Sequence, residues 1–442
     1  MTSRLASERR ATVGSMVGRW RAPLTRFATY SALLYVHLWV AEGALRKWVP
    51  GAGEVMYIAR DVALIAAVIL LAFSPLRARR GGGYIWAFAV ALGAIAACGV
   101  IVNGSSVSVA VAGLRSYLGP FLLPYIAFSY GTPDLYRRLA KAVLVWVPVQ
   151  LVLGIVQATS PPSAAINLEL SGEETRFVHD GIARITGTFT APSGLTSYTV
   201  LAFALALAAV LGAFAIKRSV SALALAAVMV ITMLSGSRGT ILGILVVLGS
   251  CFIYSARQNI AMVSRFVAAA GALLVAAYLV VSFAWPQVLA AFLDRFAVAG
   301  RVEDSQYRLL DQTFGFLSPG ELRLVGSGVG SSSIVGISLG SGQTWVEIES
   351  KRWVVELGIL GVALGVARLL VGIGLILVLV LNARRLSVAQ ATLLGVLIPA
   401  VLYGAIGQNP SYQAAFGVAF AILLALRIAG EGAKFPPTPM NR

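Results

Sequence analysis

A short charged segment carries carboxylates and guanidinium groups at spacings that suit proton transfer. Glu349, Arg352 and Glu356 are three and four residues apart, so a helix places them on one face, and Glu347 lies just before them. A carboxylate held beside a guanidinium near low dielectric can act as a general base on a hydroxyl, or orient one. The alternative is an ion-paired helix end that only fixes the tilt of the helix.

A second segment suits anion binding. Residues 235–240 read SGSRGT, in which small residues permit close backbone approach and Arg238 can donate two hydrogen bonds to phosphate oxygens. The segment lacks the Gly-Lys-Ser/Thr ending and the preceding strand of a nucleotide P-loop. Arg184 begins a similar stretch, RITGTFTAPS, whose Pro192 suits a first helical turn. For each arginine, the alternative is an interfacial side chain that caps a turn.

Composition indicates that these segments sit in a membrane protein. The chain has 442 residues, of which 58 % are hydrophobic and 12 % charged, and its mean hydropathy is +0.84. Soluble domains usually carry about twice that charged fraction. With two cysteines, both in apolar runs, and two histidines, the sequence predicts no metal site and no cofactor.

At roughly 20 apolar residues per crossing, the apolar runs predict an all-α polytopic protein with twelve transmembrane helices. The predicted spans are 27–45, 56–73, 84–102, 109–130, 139–158, 192–216, 219–234, 239–256, 261–284, 353–381, 387–406 and 411–428. Every second connection is short and basic, which places these connections and both termini in the cytoplasm. The net charge of +17 is thus explained by topology, and nucleic-acid binding is not expected.

The same topology divides the chain into regions. Residues 1–26 form a basic cytoplasmic N-terminus, and 431–442 a cytoplasmic tail. Residues 27–284 hold helices 1 to 9 with an outer loop at 159–191, residues 285–352 form a large outer loop, and 353–430 hold helices 10 to 12. Long loops on one side of a membrane protein commonly carry function, which directs attention to the outer face.

Arginines recur at the outward N-termini of the predicted helices. They are Arg60, Arg115, Arg184, Arg238 and Arg352. A cation at a helix N-terminus opposes the helix dipole, so the set is unfavourable unless an anion binds there. Arg115 lies within a predicted span, where a buried charge indicates function. Arg46 pairs with Glu42 at the outer end of span 1, and Arg308 lies in the large loop; an interfacial anchor and a solvated helix face are their alternatives.

Taken in order, these motifs resemble a known family. RITGTF at 184–189, SGSRG at 235–239, GxGxG at 326–330 and ExGxxG at 356–361 resemble the O-antigen ligase and polymerase superfamily of bacterial envelope glycosyltransferases. The segment EGALRKW at 42–48, with Arg60-Asp61 after it, is similar to a subgroup of polysaccharide polymerase-like proteins. The resemblance extends over most of the chain.

The resemblance implies a GT-C-like helical fold in the bacterial cytoplasmic (inner) membrane and an outward-facing site. It implies a polyprenyl-diphosphate-linked glycan donor, a glycan acceptor, contact with membrane lipid, and transfer without a metal; a chain-length regulator is a further partner that it allows. Arginines matching its motifs, Arg184 and Arg238, would bind the diphosphate. Arg115 is a further candidate because of its depth within the predicted span 109–130. O-antigen ligases carry a histidine where this chain has 347–352, so polymerase is the better interpretation, with Glu349 as the leading candidate to activate the acceptor and Glu347 or Glu356 as substitutes.

Two other classes of function stay open on the sequence. Twelve spans with both ends inside also fit a transporter or flippase of an anionic substrate. Against this, the two halves show no convincing similarity, and the inner side lacks a matching cluster of charges. A membrane scaffold without chemistry would leave the outward arginines unexplained.

Overall fold

The computed structural model describes residues 2–72, 82–258, 260–291, 293–294, 305–318 and 323–434. The first half of the chain forms helices α1 (Thr2–Trp48), α2 (Gly53–Ala72), α3 (Gly82–Asn103), α4 (Val107–Tyr130), α5 (Leu135–Leu144), α6 (Val147–Thr159) and α7 (Pro192–Val210). The second half forms α8 (Arg218–Ser235), α9 (Arg238–Gln258), α10 (Ile260–Ala284), α11 (Ser305–Phe314), α12 (Ile334–Ser338), α13 (Glu349–Leu357), α14 (Ile359–Leu381), α15 (Val388–Tyr403) and α16 (Pro410–Lys434).

Strand structure in the described residues is confined to one hairpin. Strands β1 (Val178–His179) and β2 (Ile182–Ala183) pair antiparallel, with Val178 opposite Ala183. Asp180 and Gly181 connect them with positive φ angles of 50° and 74°, which is the backbone geometry of a tight two-residue hairpin turn. Single 3-10 turns at Gly315–Leu317 and Ala383–Arg385 complete the regular elements.

Apolar helices confirm that this is an all-α polytopic membrane protein. Seven candidate spans in the described residues are long and apolar enough to cross a bilayer: Val107–Tyr130, Leu135–Thr159, Pro192–Val210, Arg218–Ser235, Arg238–Gln258, Ile359–Leu381 and Pro410–Gly430. Shorter apolar helices are Ala89–Asn103, Gly271–Ala284 and Val388–Tyr403. Helix is present within each of the twelve segments that the sequence predicts.

Two of those segments are interrupted, each for a local reason. Helix α5 ends at Leu144 because Pro148, in the first turn of α6, has no N–H to donate to the Leu144 carbonyl. The predicted span 353–381 is divided at Gly358, whose φ is +62° and where a Cβ would meet the carbonyl oxygens of Arg323 and Leu324. Helix α13 is therefore a separate element that precedes α14.

Helix α7 lies at the centre of the bundle. Nearly all of its side chains from Pro192 to Ala209 are buried, and it packs against α8, α9, α15 and α16. Helix α16 packs along α4, and α1 packs along α2. This arrangement brings the C-terminal ends of α1 and α15 to the same end of the bundle as the N-terminal ends of α7, α9 and α16.

Candidate functional site

A cavity of about 770 Å³ opens at that end of the bundle. Its walls come from the end of α1, the middle of α4, the starts of α7, α9 and α16, the end of α15, and residues of α11 and the 333–347 segment. The deeper wall is apolar and includes Val200, Val396 and Phe416. The remaining wall is rich in arginine, amide and hydroxyl groups, so the cavity is suited to a ligand with one polar and one apolar part.

The structure brings only part of the predicted arginine set together. Four of these arginines line the cavity: Arg46, Arg115, Arg308 and Arg352. Arg60, Arg184 and Arg238 are absent from its lining. Glu42 and Glu347 are the carboxylates that line it, so the charged lining is predominantly cationic. Such a lining favours an anionic ligand.

Arg352 is the most deeply buried of these four cations. It is 1 % exposed, and among the residues that the structure describes no acceptor forms a hydrogen bond with its Nε, Nη1 or Nη2. Its nearest charged contact is Glu356, at 3.6 Å from Nε to Oε1, and its guanidinium lies 5.5 Å from the centre of the Tyr117 ring. A buried guanidinium is costly unless its donors are satisfied, so Arg352 is poised to donate to a bound anion.

Glu356 is the charge partner of Arg352 but forms no hydrogen bond with it in the described structure, because its oxygens are directed to other donors. Its Oε2 accepts hydrogen bonds from the Tyr117 hydroxyl and the Gly330 amide, both at 2.9 Å, and Oε1 accepts one from the Ser332 amide at 3.1 Å. Glu356 is 1 % exposed and lies outside the cavity lining. Its observed contacts assign it a structural role: it fixes the glycine-rich segment (326–342) against α13.

Glu349, the leading sequence candidate for a general base, also lies outside the cavity lining. Its Oε1 and Oε2 accept hydrogen bonds from the Gly407 amide at 3.1 and 3.0 Å, and Oε2 accepts a third from the Gln408 amide at 3.3 Å. Glu349 is 5 % exposed. Both oxygens thus hold the turn between α15 and α16, and the expectation that Glu349 faces an acceptor does not fit this geometry.

Among Glu347, Glu349 and Glu356, only Glu347 is found in the lining of the cavity. It is ion-paired with Arg308 from α11, and about half of each side chain is exposed. Its position in the sequence gives little sign of this, because Glu349 and Glu356 share the helical face with Arg352 while Glu347 precedes the helix. The chain direction before α13, which the sequence does not reveal, turns Glu347 into the cavity.

Arg46 and Arg115 belong to a chain of alternating charges. Glu42 accepts from Arg46 at 3.2 Å and from Arg60 at 3.0 Å, and Asp61 accepts from Arg60 at 3.0 Å and from Arg115 at 2.5 Å. Arg60 is 1 % exposed, and both of its carboxylate partners are buried. Arg60, which the sequence predicts to bind substrate, does not line the cavity and instead links the two acids that hold Arg46 and Arg115 at its wall.

The Arg184 segment has a structural role that the sequence did not reveal. Two buried glutamines of α6 bind its backbone. Gln157 Oε1 accepts from the Thr186 and Gly187 amides at 2.9 and 2.8 Å, and Gln150 Oε1 accepts from the Thr188 amide at 3.1 Å. The glutamines fix the segment that leads into α7, whose first residues line the cavity.

Gln157→Leu should destabilise the protein because it leaves two buried amides without acceptors, at about 1–3 kcal/mol each. The measurement is the apparent melting temperature of the purified chain in detergent. Gln258→Leu, at an exposed glutamine, is the matched control and should change it little. An equal melting temperature for the two variants would contradict this role for Gln157.

Arg184 lies next to the start of the SGSRGT turn; neither Arg184 nor Arg238 lines the main cavity, whereas Gly239 of the same turn does. Arg184, Ser235 and Gly236 line a separate cleft of only about 20 Å³, too small for a sugar or a diphosphate. In the turn, Ser237 Oγ lies 2.9 Å from Thr196 Oγ1, and the Thr240 hydroxyl donates to Thr196 Oγ1 at 3.2 Å. Arg184 and Arg238 as diphosphate ligands therefore stay a prediction, and the structure shows only that neither residue is in the cavity lining.

The first part of the glycine-rich segment, residues 326–333, is a packed wall and not an open loop. Gly328 and Gly330 have φ angles of 108° and 85°, and Gly330 lies against the backbone of Gly113 in α4. Asn103 donates to the Gly326 carbonyl at 2.7 Å. Gly326, Gly328 and Gly330 are buried. The absence of side chains serves close backbone packing here.

Several cavity residues carried no clear sequence signal. Gln408, Asn409, Tyr412 and Gln413 line the cavity at the start of α16. Asn409 caps α16 by accepting from the Ser411 amide at 2.9 Å, and it donates to Ser193 Oγ at 2.9 Å. Isolated amides after an apolar run resemble ordinary helix starts, so only the three-dimensional arrangement identifies them.

Arg368 supports the neighbouring helix end from within α14. It donates to the carbonyls of Val401 and Gly404, at 2.7 Å for the latter, and its guanidinium lies 5.0 Å from the Trp353 ring centre. Val401 belongs to the last turn of α15 and Gly404 directly follows that helix; both Tyr403 and Gly404 line the cavity.

One group of potential metal ligands occurs in the described part of the chain. His179 Nε2 lies 3.0 Å from Asp294 Oδ2 and 3.6 Å from Asp180 Oδ2. Both aspartates are exposed, and none of the three residues lines the arginine-rich cavity. The arginine-rich cavity is lined by a different set of polar groups, namely arginines, amides and hydroxyls together with the carboxylates of Glu42 and Glu347.

Fold and site together define a polytopic membrane protein with an arginine-lined cavity at one end of its helical bundle. Comparison with models of known protein families gives no match, and no curated protein sequence is similar to the chain.

Proposed function

We propose that this chain is an integral-membrane glycosyltransferase that polymerises polyprenyl-diphosphate-linked oligosaccharide repeats into a cell-surface polysaccharide. The observation that carries the proposal is Arg352, a buried cation with three unsatisfied nitrogen atoms in a cavity that three further arginines line. A diphosphate linked to a glycan on one side and a polyprenyl chain on the other matches the charge and the apolar wall. The resemblance to the O-antigen ligase and polymerase superfamily supports the same class of reaction.

The proposed topology has twelve membrane spans, a GT-C-like arrangement and both termini in the cytoplasm of a bacterial cell. The basic connections follow every second span, as the positive-inside rule requires of cytoplasmic loops. The helix ends that line the cavity are the opposite ends. On this topology the cavity, the connection 159–191 and the large loop 285–352 face the outside of the cytoplasmic membrane.

In the proposed reaction, Arg352 and Arg115 bind the donor diphosphate, and Arg46 and Arg308 line the same cavity beside it. A hydroxyl of the acceptor glycan attacks the anomeric carbon, the new glycosidic C–O bond forms, and the bond to the diphosphate oxygen breaks. Glu347 accepts the hydroxyl proton, and polyprenyl diphosphate leaves. Because negative charge grows on the diphosphate as that bond breaks, the arginines stabilise the transition state more than the ground state.

Glu347→Gln should lower turnover by about 10²–10⁴-fold, the usual contribution of a general base, while substrate affinity changes less. Transfer by the purified chain in vesicles measures this. Glu347→Asp keeps the carboxylate and should recover part of the rate, and Glu173→Gln, at an exposed outer-loop glutamate, is the matched control. Full turnover by Glu347→Gln would remove Glu347 from the mechanism.

Deleting the gene and sizing both the surface glycan and the lipid-linked intermediates tests the function. Loss of long chains with accumulation of single lipid-linked repeats is the expected result. Loss of attached polymer while lipid-linked polymer accumulates would instead identify a ligase that transfers glycan to a lipid or protein acceptor. An unchanged glycan profile would overturn both and favour transport of an anionic substrate.

A further inference from the structure

We propose that the amphipathic segment (305–317), which comprises α11 and the following 3-10 turn, lies at the boundary between lipid and water on the outer side of the cytoplasmic membrane. One face of the segment contacts lipid and the other faces the cavity. Four apolar side chains recur along it at spacings of three, four and three residues and are exposed: Tyr307 (69 %), Leu310 (56 %), Phe314 (42 %) and Leu317 (63 %). This spacing places them along one side of a helix.

The other side of the amphipathic segment is bound to the protein. Arg308 pairs with Glu347, and Gln312 lines the cavity. Asp311 accepts from Lys351 Nζ at 2.7 Å, and its carbonyl accepts from Ser350 Oγ at 3.2 Å. These contacts fix the rotation of α11, so the exposed apolar side cannot turn inward while they persist.

The end of the segment reaches a candidate membrane span, which identifies lipid as the occupant of the apolar side. Phe316 is 1 % exposed and packs against Gly365, where a Cβ would overlap its ring. Gly365 is six residues after Ile359, or about 9 Å along α14 at 1.5 Å per residue. The segment therefore lies alongside the span and not beyond its end.

Helix α14 presents lipid-facing surface on either side of that contact. It is the least buried of the seven candidate spans, and Leu360, Val366 and Leu370 are 49 %, 43 % and 64 % exposed. The buried contact of Phe316 with Gly365 places the amphipathic segment beside this apolar surface. An aromatic and aliphatic face next to a lipid-exposed span is typical of an interfacial helix.

The segment would then form the edge of the cavity entrance that faces the membrane, and a lipid-linked substrate would enter the cavity from the bilayer beside it. That role rests on the proposed function, whereas the depth of the segment in the membrane does not. A depth measurement without substrate consequently separates the two proposals.

Nitroxide labels measure that depth. In the full-length chain carrying Cys98→Ser and Cys251→Ala, single labels are attached at Leu310→Cys, Phe314→Cys or Leu317→Cys, with Leu170→Cys in the outer connection 159–191 as the exposed control. The labelled protein is placed in vesicles of phosphatidylethanolamine and phosphatidylglycerol. Collisions with oxygen, which concentrates among acyl chains, are compared with collisions with a water-soluble nickel chelate.

We expect the labels at 310, 314 and 317 to collide more with oxygen than with nickel, and the label at 170 to show the reverse. Strong nickel collisions at the three positions would place the face in water and overturn the proposal. Protection from both reagents would indicate that protein, such as a second copy of this chain, covers the face, and would overturn it equally. Three positions keep the test usable if one variant fails to fold.

Discussion

Arg352→Ala is expected to reduce glycan transfer by about 10²–10³-fold, the typical effect of removing a charge-stabilising donor from an enclosed site. The physical reason is that no other described cation lining the cavity is as deeply buried, and its three nitrogen atoms form no hydrogen bonds within the described structure. The variant loses these donors where the diphosphate gains charge. Transfer by the purified chain and the length distribution of the surface glycan both measure the effect.

Two variants give this prediction its controls. Arg352→Lys keeps a positive charge but loses the planar fork, so it should recover only a small part of the rate. Arg184→Ala removes an arginine that the sequence motifs favoured but that lies outside the cavity lining, and it should retain much more transfer than Arg352→Ala at equal expression. A larger loss of transfer activity in Arg184→Ala than in Arg352→Ala would show that the anion binds at the 184–189 segment instead.

Glu356→Ala is expected to cause the largest loss of stability, about 3–5 kcal/mol, which is usual when one partner of a buried charge pair is removed. Its carboxylate accepts from Tyr117, Gly330 and Ser332 and lies 3.6 Å from Arg352. The substitution leaves these donors buried without their acceptor and releases the glycine-rich segment. The apparent melting temperature of the purified variant should fall clearly.

Glu347→Ala is the matched comparison because it removes a carboxylate from the same sequence segment whose side chain is half exposed. Exposed ion pairs contribute about 0–1 kcal/mol, so its melting temperature should stay close to that of the parent chain. The two assays thus distinguish the two glutamates: Glu356 affects stability, and Glu347 affects glycan transfer. A parent-like melting temperature for Glu356→Ala would show that the glycine-rich segment is held by other contacts.

The class of fold could be predicted from the sequence because long apolar runs admit few alternatives to membrane helices. The breaks at Leu144 and Gly358 were harder to predict. Pro148 is followed by further apolar residues, and Gly358 lies within a helix-like pattern, so the apolar period continues across both interruptions. Only the contact of Gly358 with the carbonyls of Arg323 and Leu324 explains why the chain turns there.

The sequence predicted the types of residue in the candidate site but not which individual residues line the cavity. Arginines near helix ends were an informative signal, and Arg115 and Arg352 do line the cavity. Arg60 and Arg184 gave the same signal, yet Arg60 is enclosed by Glu42 and Asp61 and Arg184 lies at a separate small cleft. Sequence distance cannot distinguish an arginine that faces a cavity from one that faces a carboxylate on another helix.

The close packing of the glycine-rich segment has a practical consequence for mapping or tagging this protein. A segment with six glycines between α11 and α13 usually suggests a tolerant place to insert a reporter, but here the backbone of its first part lies directly on α4 at Gly113. An insertion within residues 326–333 would separate that wall from the helix and expose Glu356 and Arg352 to water. The turn at Asp180 and Gly181, whose tip is free of such backbone contact, is the better position for an epitope.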